Sequence, residues 1–267
     1  MTTTNGLPAP TATSYALVTG ASQGIGRAMA RDLAAMGYNT ILVARRAEVL
    51  ESVAEELRAL GTTSEVLAAD LGVEADVDRV IATMAEREIS IIINSAGIAS
   101  FGPFMEQDWQ YETNQFNINA TAVFRLTRAA LDQMLPRRRG AICNVGSAAG
   151  NSPIPNNATY VFTKAGVNTF TEALHYELKG SGVSCTLLAP GPVRDAVVEN
   201  PSIVDKVVPD FLWTTYESCS AETLTAMARN QRRIVPGPLG KTMNFLNQVL
   251  PTPVSAPIIG KFYSQMT

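Results

Sequence analysis

From Tyr15 onward, short apolar runs alternate with longer segments whose apolar residues recur at helical spacing. The runs are 15–20 (YALVTG), 40–45 (TILVAR), 64–70 (SEVLAAD), 89–94 (ISIIIN), 140–147 (GAICNVGS), 183–190 (VSCTLLAP) and a last short one at 233–236 (RIVP). Most lack polar alternation, which predicts parallel strands covered on both faces. The segments Arg27–Met36, Ala47–Leu60, Val77–Glu88 and Asn119–Leu135 predict helices, two of them closed by Gly37 and Gly61. This repeated β-α alternation predicts an α/β fold: a doubly wound parallel β-sheet flanked by helices. With no linker or internal repeat in view, residues 14–267 are expected to form a single domain behind a flexible polar leader, 1–13.

Between about 193 and 231 the rhythm breaks. Prolines, the exposed-looking Phe211 and Trp213, and the lack of a clear strand predict a lid over the carboxyl ends of the strands. The apolar, proline-rich tail from about 237 to 267 is expected to cover the sheet edge or a subunit interface, with membrane-surface contact the lesser alternative.

Composition narrows the function classes. A hydrophobic fraction of 46% with 17% charged residues points to extensive burial, and a net charge of −3 gives no reason to expect a nucleic-acid partner. The one basic run, Arg137–Arg139, precedes Gly140 and reads as a helix end. Cys143 and Cys185 sit in apolar runs, Cys219 stands apart, and no CxxC spacing occurs, so reduced thiols of a cytoplasmic protein are expected. No apolar run reaches the length of a membrane span, and the N-terminal stretch has no basic patch or apolar core of a secretion signal.

The stretch TGASQGIG, 19–26, follows the first strand and opens a helix. Gly20 permits a tight turn, while Gly24 and Gly26 permit close approach of backbone to phosphate and of helix to strand. Ser22, Gln23 and Ile25 complete a loop whose helix start offers free N–H groups to a dinucleotide pyrophosphate. The second strand then ends in Ala44, Arg45 and Arg46, with no carboxylate to take ribose hydroxyls. Two guanidinium groups there would pair with a 2′-phosphate, so NADP(H) is expected over NAD; arginines merely solvated at a helix start are the alternative.

These motifs, in this order, resemble the short-chain dehydrogenase/reductase family, and the resemblance runs from Tyr15 to about Gly240. It implies a Rossmann-type sheet and a residue-by-residue set of roles. TGASQGIG matches the family's TGxxxGxG, and Asp70, followed by Leu71, matches the acidic residue at the adenine ring. Asn94, Ala96 and Gly97 belong to NSAG, which stands for the usual NNAG. Asn119, Ser147, Tyr160 and Lys164 match the catalytic tetrad, and Pro190, Gly191 and Val193 the loop that covers the nicotinamide. One departure falls after PGPVR, where Asp195 replaces the threonine that often holds the carboxamide.

Lys164 lies one helical turn beyond Tyr160, so the two project from one face, and an ammonium there is expected to lower the phenol's pKa from about 10. Ser147 would hydrogen-bond the substrate oxygen. By resemblance, Tyr160 donates the proton while nicotinamide supplies hydride, Lys164 also grips the nicotinamide ribose, and Asn119 supports a proton-relaying water. His175, the only histidine, has no cysteine or carboxylate cluster near it, so a structural role is expected and a metal site is not. Phe101, Phe104, Met105, Ile154, Val197, Phe211 and Trp213 would form an apolar pocket. The expected activity is therefore NADPH-dependent reduction of an apolar ketone, most simply a 3-oxoacyl lipid. The pattern LLAPGPVR with the late RRIVPGPLGKTM and APIIGKFY resembles the family's long-chain 3-oxoacyl branch, mycolate-type reductases included. A hydroxysteroid or general secondary-alcohol dehydrogenase and a non-catalytic NADP-binding sensor are the alternatives, and a homo-oligomeric state, dimer or tetramer, is implied by the resemblance.

Overall fold

A computed structural model describes residues 7–194 and 212–249, the side chains of 243 and 246–249 excepted. Among the described residues, seven strands form one parallel sheet: β1 (Ser14–Thr19), β2 (Asn39–Ala44), β3 (Ser64–Ala68), β4 (Glu88–Asn94), β5 (Gly140–Val145), β6 (Val183–Leu188) and β7 (Arg233–Ile234). Their order is β3-β2-β1-β4-β5-β6-β7. The chain thus winds outward in one direction from β1 and then returns past it to continue in the other. That reversal, between β1 and β4, opens a crevice at the carboxyl ends of the strands.

Helices α1 (Gly24–Ala35), α2 (Ala47–Arg58), α3 (Glu74–Ala85), α4 (Trp109–Phe116), α5 (Ala122–Arg137), α6 (Ala158–Glu177), α7 (Tyr216–Ala228) and α8 (Pro238–Val249) complete the described elements with short 3₁₀ and π turns. The apolar strands need cover on both faces, and two clusters supply it. One joins Val18, Leu42 and Ile93 to Leu33 of α1, Leu50 of α2, and Cys219 and Met227 of α7. The other joins Leu17, Ile41 and Ile92 to Val80 of α3 and Leu126 and Met134 of α5. Among the described residues no helix is long and apolar enough to cross a membrane.

The expected strands recur within one or two residues at their starts, and the expected α3 begins three residues earlier, ending before Glu88 enters β4. Three expectations need correction. Residues 8–12, assigned to a flexible leader, are held by Tyr38 Oη donating to Pro8 O and Asn39 Nδ2 donating to Ala12 O at 3.1 Å. The proposed lid contains α7, whose Cys219, Leu224 and Met227 belong to the core, so that part packs against α1 rather than opening as a flap. Trp213, expected on the surface, is 7% exposed, and Val193 pairs with Thr214 in a parallel bridge. Asp195, Val197, Phe211 and the tail beyond 249 lie outside the described residues.

Candidate active site

A cleft of about 700 Å³ lies over the carboxyl ends of β1, β2, β4 and β5. Gly20, Ser22, Gln23, Gly24, Ile25 and Gly26 form one wall, Arg45, Arg46, Asp70 and Leu71 the far end, and Ala96, Gly97, Tyr160, Lys164 and Pro190 the other. Residues separated by up to 170 positions in sequence are thereby brought to one groove. The wall also includes Val43, Ala69, Ser95, Ile98, Ala99, Ile118, Val145, Gly146 and Tyr216, which motif spacing did not single out. Most are neighbours of motif residues; Tyr216 is not, because α7 reaches the cleft only through packing on α1.

The glycine-rich turn is shaped by contacts that leave no room for side chains. Gly20 has φ +67 and Gly24 φ +61, values that favour glycine. A Cβ on Gly26 would fall 2.5 Å from Gly20 O, and one on Gly20 would fall 3.0 Å from Ala96 N. Thr19 Oγ1 accepts from both Ser95 N and Ala96 N at 3.0 Å, which locks the ends of β1 and β4 together beneath the turn. The first turn of α1 thus points unpaired N–H groups and the positive end of its dipole into the cleft, an anion cradle made of main chain.

At the far end, Arg46 Nη2 donates to Gln23 Oε1 at 2.6 Å and Ser22 Oγ at 3.4 Å, bending the guanidinium over the cradle. Asp70 Oδ1 accepts from Gly72 N at 2.9 Å, while Asp70 N donates to Asp76 Oδ2 at 2.7 Å, so the turn holding the carboxylate is itself fixed. Two guanidinium groups beside an anion cradle, with no carboxylate between them, fit a phosphorylated ribose.

The catalytic candidates meet at the other end. Asn119 sits in a π-helical turn, Asn117–Thr121, between α4 and α5. The wider turn directs its amide at Ile98, where Nδ2 donates to Ile98 O at 2.8 Å and Oδ1 accepts from Ile98 N at 2.9 Å. Lys164 is 4% exposed, its Nζ donates to Val145 O at 2.8 Å, and it stands 5.7 Å from the centre of the Tyr160 ring. Gly97 lies between Asn119 and Lys164: a Cβ there would come within 3.3 Å of Asn119 Oδ1 and 3.5 Å of Lys164 Nζ. Ser147 is 6% exposed and its Oγ accepts from Ala149 N at 3.1 Å, which leaves the hydroxyl proton to be donated.

The electrostatics run against the sequence expectation for the tyrosine. Burial raises the Tyr160 pKa above its ordinary value, with the Ser147 hydroxyl beside it working the other way. Burial also brings Lys164 down to about 8. Desolvation disfavours the charged form of each group, so in the protein alone it outweighs any help the ammonium gives the phenolate.

Several predicted residues stand back from the cleft. Asn94 is buried beneath it, with Nδ2 donating to Asn144 Oδ1 at 2.8 Å and Thr127 Oγ1 at 3.1 Å, so its place is a brace rather than a wall. Gly191 packs against Gly240, where a Cβ would fall 2.8 Å from the Gly240 Cα, and Val193 is buried at its bridge to Thr214. Ile154, expected in the pocket, is 4% exposed and packs with Ala149, Tyr160 and Val161. Phe101, Phe104 and Met105 are exposed, and none of them lines the cleft, whose wall on this segment ends at Ala99. His175 Nδ1 is 2.9 Å from Cys185 O, a structural contact, and no cluster able to hold a metal occurs among the described residues. Cys143, Cys185 and Cys219 are buried free thiols, and burial pushes the latter two up to about 12. The Arg137–Arg139 run does close a helix: Arg137 Nη2 donates to Ile89 O at 2.8 Å and Arg138 Nη2 to Gly180 O at 2.8 Å.

The family model for short chain dehydrogenases matches residues 14–202. A very-long-chain 3-oxoacyl-CoA reductase of Anas platyrhynchos is 36% identical over 74% of this chain and 65% of its own. A 3-oxoacyl-acyl-carrier-protein reductase of Staphylococcus aureus is 38% identical over 67% of this chain and 74% of its own. A short-chain dehydrogenase of Sphingobium yanoikuyae, solved in complex with NADPH, superposes with a TM-score of 0.75 at 30% identity, covering 83% of this chain and 87% of that one. The chain spans about three fifths of the length of the first curated relatives it matches, 59% and 65%. The chain belongs to the short-chain dehydrogenase/reductase family.

Proposed function

We propose that this chain is an NADPH-dependent carbonyl reductase acting on an apolar ketone, a 3-oxoacyl lipid of long-chain type. The observation that carries the reading is one continuous cleft with an anion cradle and paired arginines at one end and Tyr160 with Lys164 at the other. Backbone N–H groups of 20–26 would hold the pyrophosphate, Arg45 and Arg46 the 2′-phosphate, Asp70 the adenine edge, and Lys164 the nicotinamide ribose. Once held there, the dinucleotide would supply hydride to the carbonyl carbon.

The chain's own residues manage the proton. A raised pKa keeps the Tyr160 phenol protonated at neutral pH, the state a general acid needs. Ser147 donates a hydrogen bond to the carbonyl oxygen as negative charge grows there, and Tyr160 transfers its proton to that oxygen, giving the alcohol. With its pKa near 8, Lys164 is largely protonated at neutral pH and close enough to proton exchange to restore the phenol. Asn119, clamped on Ile98, fixes the turn between β4 and the lysine, where the proton-relaying water is expected.

The exposed Phe101, Phe104 and Met105, on the segment that continues from Ala99 of the cleft wall, offer apolar surface for an acyl chain. The 3-oxoacyl reductases among the relatives support the same substrate class. On the outer face, Phe116 stacks on Phe162 at 5.4 Å and Phe124 lies 5.5 Å from Phe170, a partly exposed aromatic stripe along α4, α5 and α6 that suits pairing of two copies. The test is NADPH turnover by purified protein on long-chain 3-oxoacyl esters, short 3-oxoacyl thioesters and ketosteroids. Turnover highest on the long acyl esters is expected; none on any acyl substrate would overturn the assignment.

A further inference from the structure

Helix α6 carries Tyr160, Lys164, Asn168 and Glu172 at successive intervals of four, so one face presents a line of polar groups to the end of β5. The first two belong to the proposed chemistry. The third, Asn168, is 4% exposed and spends its whole amide on the segment that carries the serine. Its Oδ1 accepts from Ser147 N at 3.3 Å, and its Nδ2 donates to Ser147 O at 2.9 Å and to Asn151 Oδ1 at 3.1 Å. Both amide hydrogens are thereby used, one on each side of the turn that follows the serine.

The neighbouring glycines make room for this amide. A Cβ on Gly146 would fall 1.9 Å from Asn168 Oδ1, and one on Gly150 2.7 Å from Asn168 Nδ2. Asn151 extends the network outward. Its Oδ1 also accepts from Arg233 Nη2 of β7 at 2.6 Å, and its Nδ2 donates to Asn244 Oδ1 of α8 at 3.1 Å. Arg233 is held in turn beside Glu172, at 3.7 Å. From the other side, Gly146 N donates to Leu188 O at 2.8 Å and Ala148 N to Pro190 O at 2.9 Å. Ser147 therefore lies between β6 on one side and Asn168 on the other.

We infer that Asn168 is the positioning residue for Ser147, and that Asn151 ties this support to Arg233 and to the C-terminal helix α8. The inference rests on the proposed reductase reading. An aspartate would fit the space but face two oxygens, Ser147 O and Asn151 Oδ1, without a proton to give either. Alanine would release both. Either change lets the serine drift from the geometry that reaches the carbonyl oxygen, while the phosphate cradle is untouched.

The experiment is a double-mutant cycle on a long-chain 3-oxoacyl ester at saturating NADPH, with NADPH affinity measured separately by fluorescence titration. Asn168→Ala and Asn168→Asp are each expected to lower kcat about ten- to a hundredfold, the scale of a small misplacement at the reacting centre. NADPH affinity is expected to stay within about twofold, because the cradle is far from the change. In a Ser147→Ala background the same substitutions are expected to change kcat by less than about twofold, since the group they position is gone. Equal losses in both backgrounds, or a matching fall in NADPH affinity, would show a merely structural asparagine and overturn the inference. Should neither Asn168 variant fold, the cycle with Asn151→Ala decides by the same criterion. No turnover by the unmodified chain would remove the reductase reading itself, an outcome distinct from additive losses in an active one.

Discussion

At the cradle end of the cleft the walls are main chain: a turn of glycines with φ +67 and +61, sealed by Thr19 holding the amides of Ser95 and Ala96. At the catalytic end they are side chains delivered by separate elements: Asn119 from a π-turn, Ser147 after β5, Tyr160 and Lys164 from α6. Main chain offers fixed dipoles that bind phosphate whether or not chemistry follows. Side chains taken out of water have altered proton affinities, raised for Tyr160 and lowered for Lys164, and so suit proton transfer. On the proposed reading, binding and chemistry occupy different ends, and the two should be separable by substitution.

The sharpest separation is expected for Tyr160→Phe. Removing the phenolic proton donor should lower kcat by about 10³-fold or more, within the range for general acid catalysis, while NADPH binding stays as it was. Unchanged turnover in this variant would break the division and remove Tyr160 from the reaction. A stopped assay beside a fluorescence titration reads both quantities.

Lys164 tests the electrostatic half. Its pKa stands at about 8 in the fold against 10.5 ordinarily, because burial penalises the ammonium. Below pH 8 the lysine is charged in folded and unfolded chains alike, so the penalty is fully present. Between pH 8 and 10.5 the folded chain has released a proton that the unfolded chain still holds, so stability rises with pH. Above 10.5 both are neutral and the gain stops. Relative to Lys164→Met, the wild-type chain should gain about 3 kcal/mol across that window, and the comparison cancels the buried cysteines, which titrate in both. Urea unfolding at pH 7 and pH 10 measures it; a difference independent of pH would mean the ammonium is not buried at any cost.

Arg46→Ala probes the cradle end for selectivity rather than strength. Losing the guanidinium that leans on Gln23 and Ser22 should weaken NADPH about tenfold and leave NADH nearly unchanged, the scale of one charge-assisted contact on a partly exposed phosphate. Equal effects on both dinucleotides would move the 2′-phosphate away from this arginine.

The same contrast explains what was legible before any coordinates. Cradle residues are consecutive, so TGASQGIG after a strand reveals the turn, and an unbroken ISIIIN reveals a buried strand. Tyr160 and Lys164 are also local, one turn apart, but their proton affinities depend on burial by residues distant in sequence, Val145, Ala149 and Ile154 among them, and the expected lowering of the phenol's pKa is reversed by that burial. Asn94 was misplaced because a motif position does not say which way an amide turns; it turns to Asn144 and Thr127 under the sheet end. Asn168 drew no notice despite its spacing from Lys164, since its partners, Ser147 and Asn151, lie 21 and 17 residues away. Trp213 and α7 look like lid in the sequence because a polar, proline-punctuated approach hides the apolar face of Cys219, Leu224 and Met227 that fits α1.

Tyr216 carries the packing of α7 on α1 to the cleft. It is the first residue of α7, and its Cε1 would lie 3.5 Å from a Cβ on Gly24, so the ring covers the central glycine of the cradle while also lining the cleft. The helix behind it is not free to swing: Ser220 Oγ donates to Asp32 Oδ2 on α1 at 2.6 Å, and Thr215 caps the first turn by accepting from Ser218 N at 3.2 Å. Like Arg46, Tyr216 is a side chain added to a turn that is otherwise main chain, and it is set by a helix late in the chain. Its contribution should accordingly be small: Tyr216→Ala is expected to weaken NADPH binding about three- to tenfold, and Tyr216→Phe, which keeps the ring, by less than about twofold, the scale of one lost apolar contact. Fluorescence titration with NADPH distinguishes the two. Unaltered affinity in the alanine variant would return the cradle wholly to backbone, whereas a loss comparable to that of Arg46→Ala would make α7 a full partner in holding the dinucleotide.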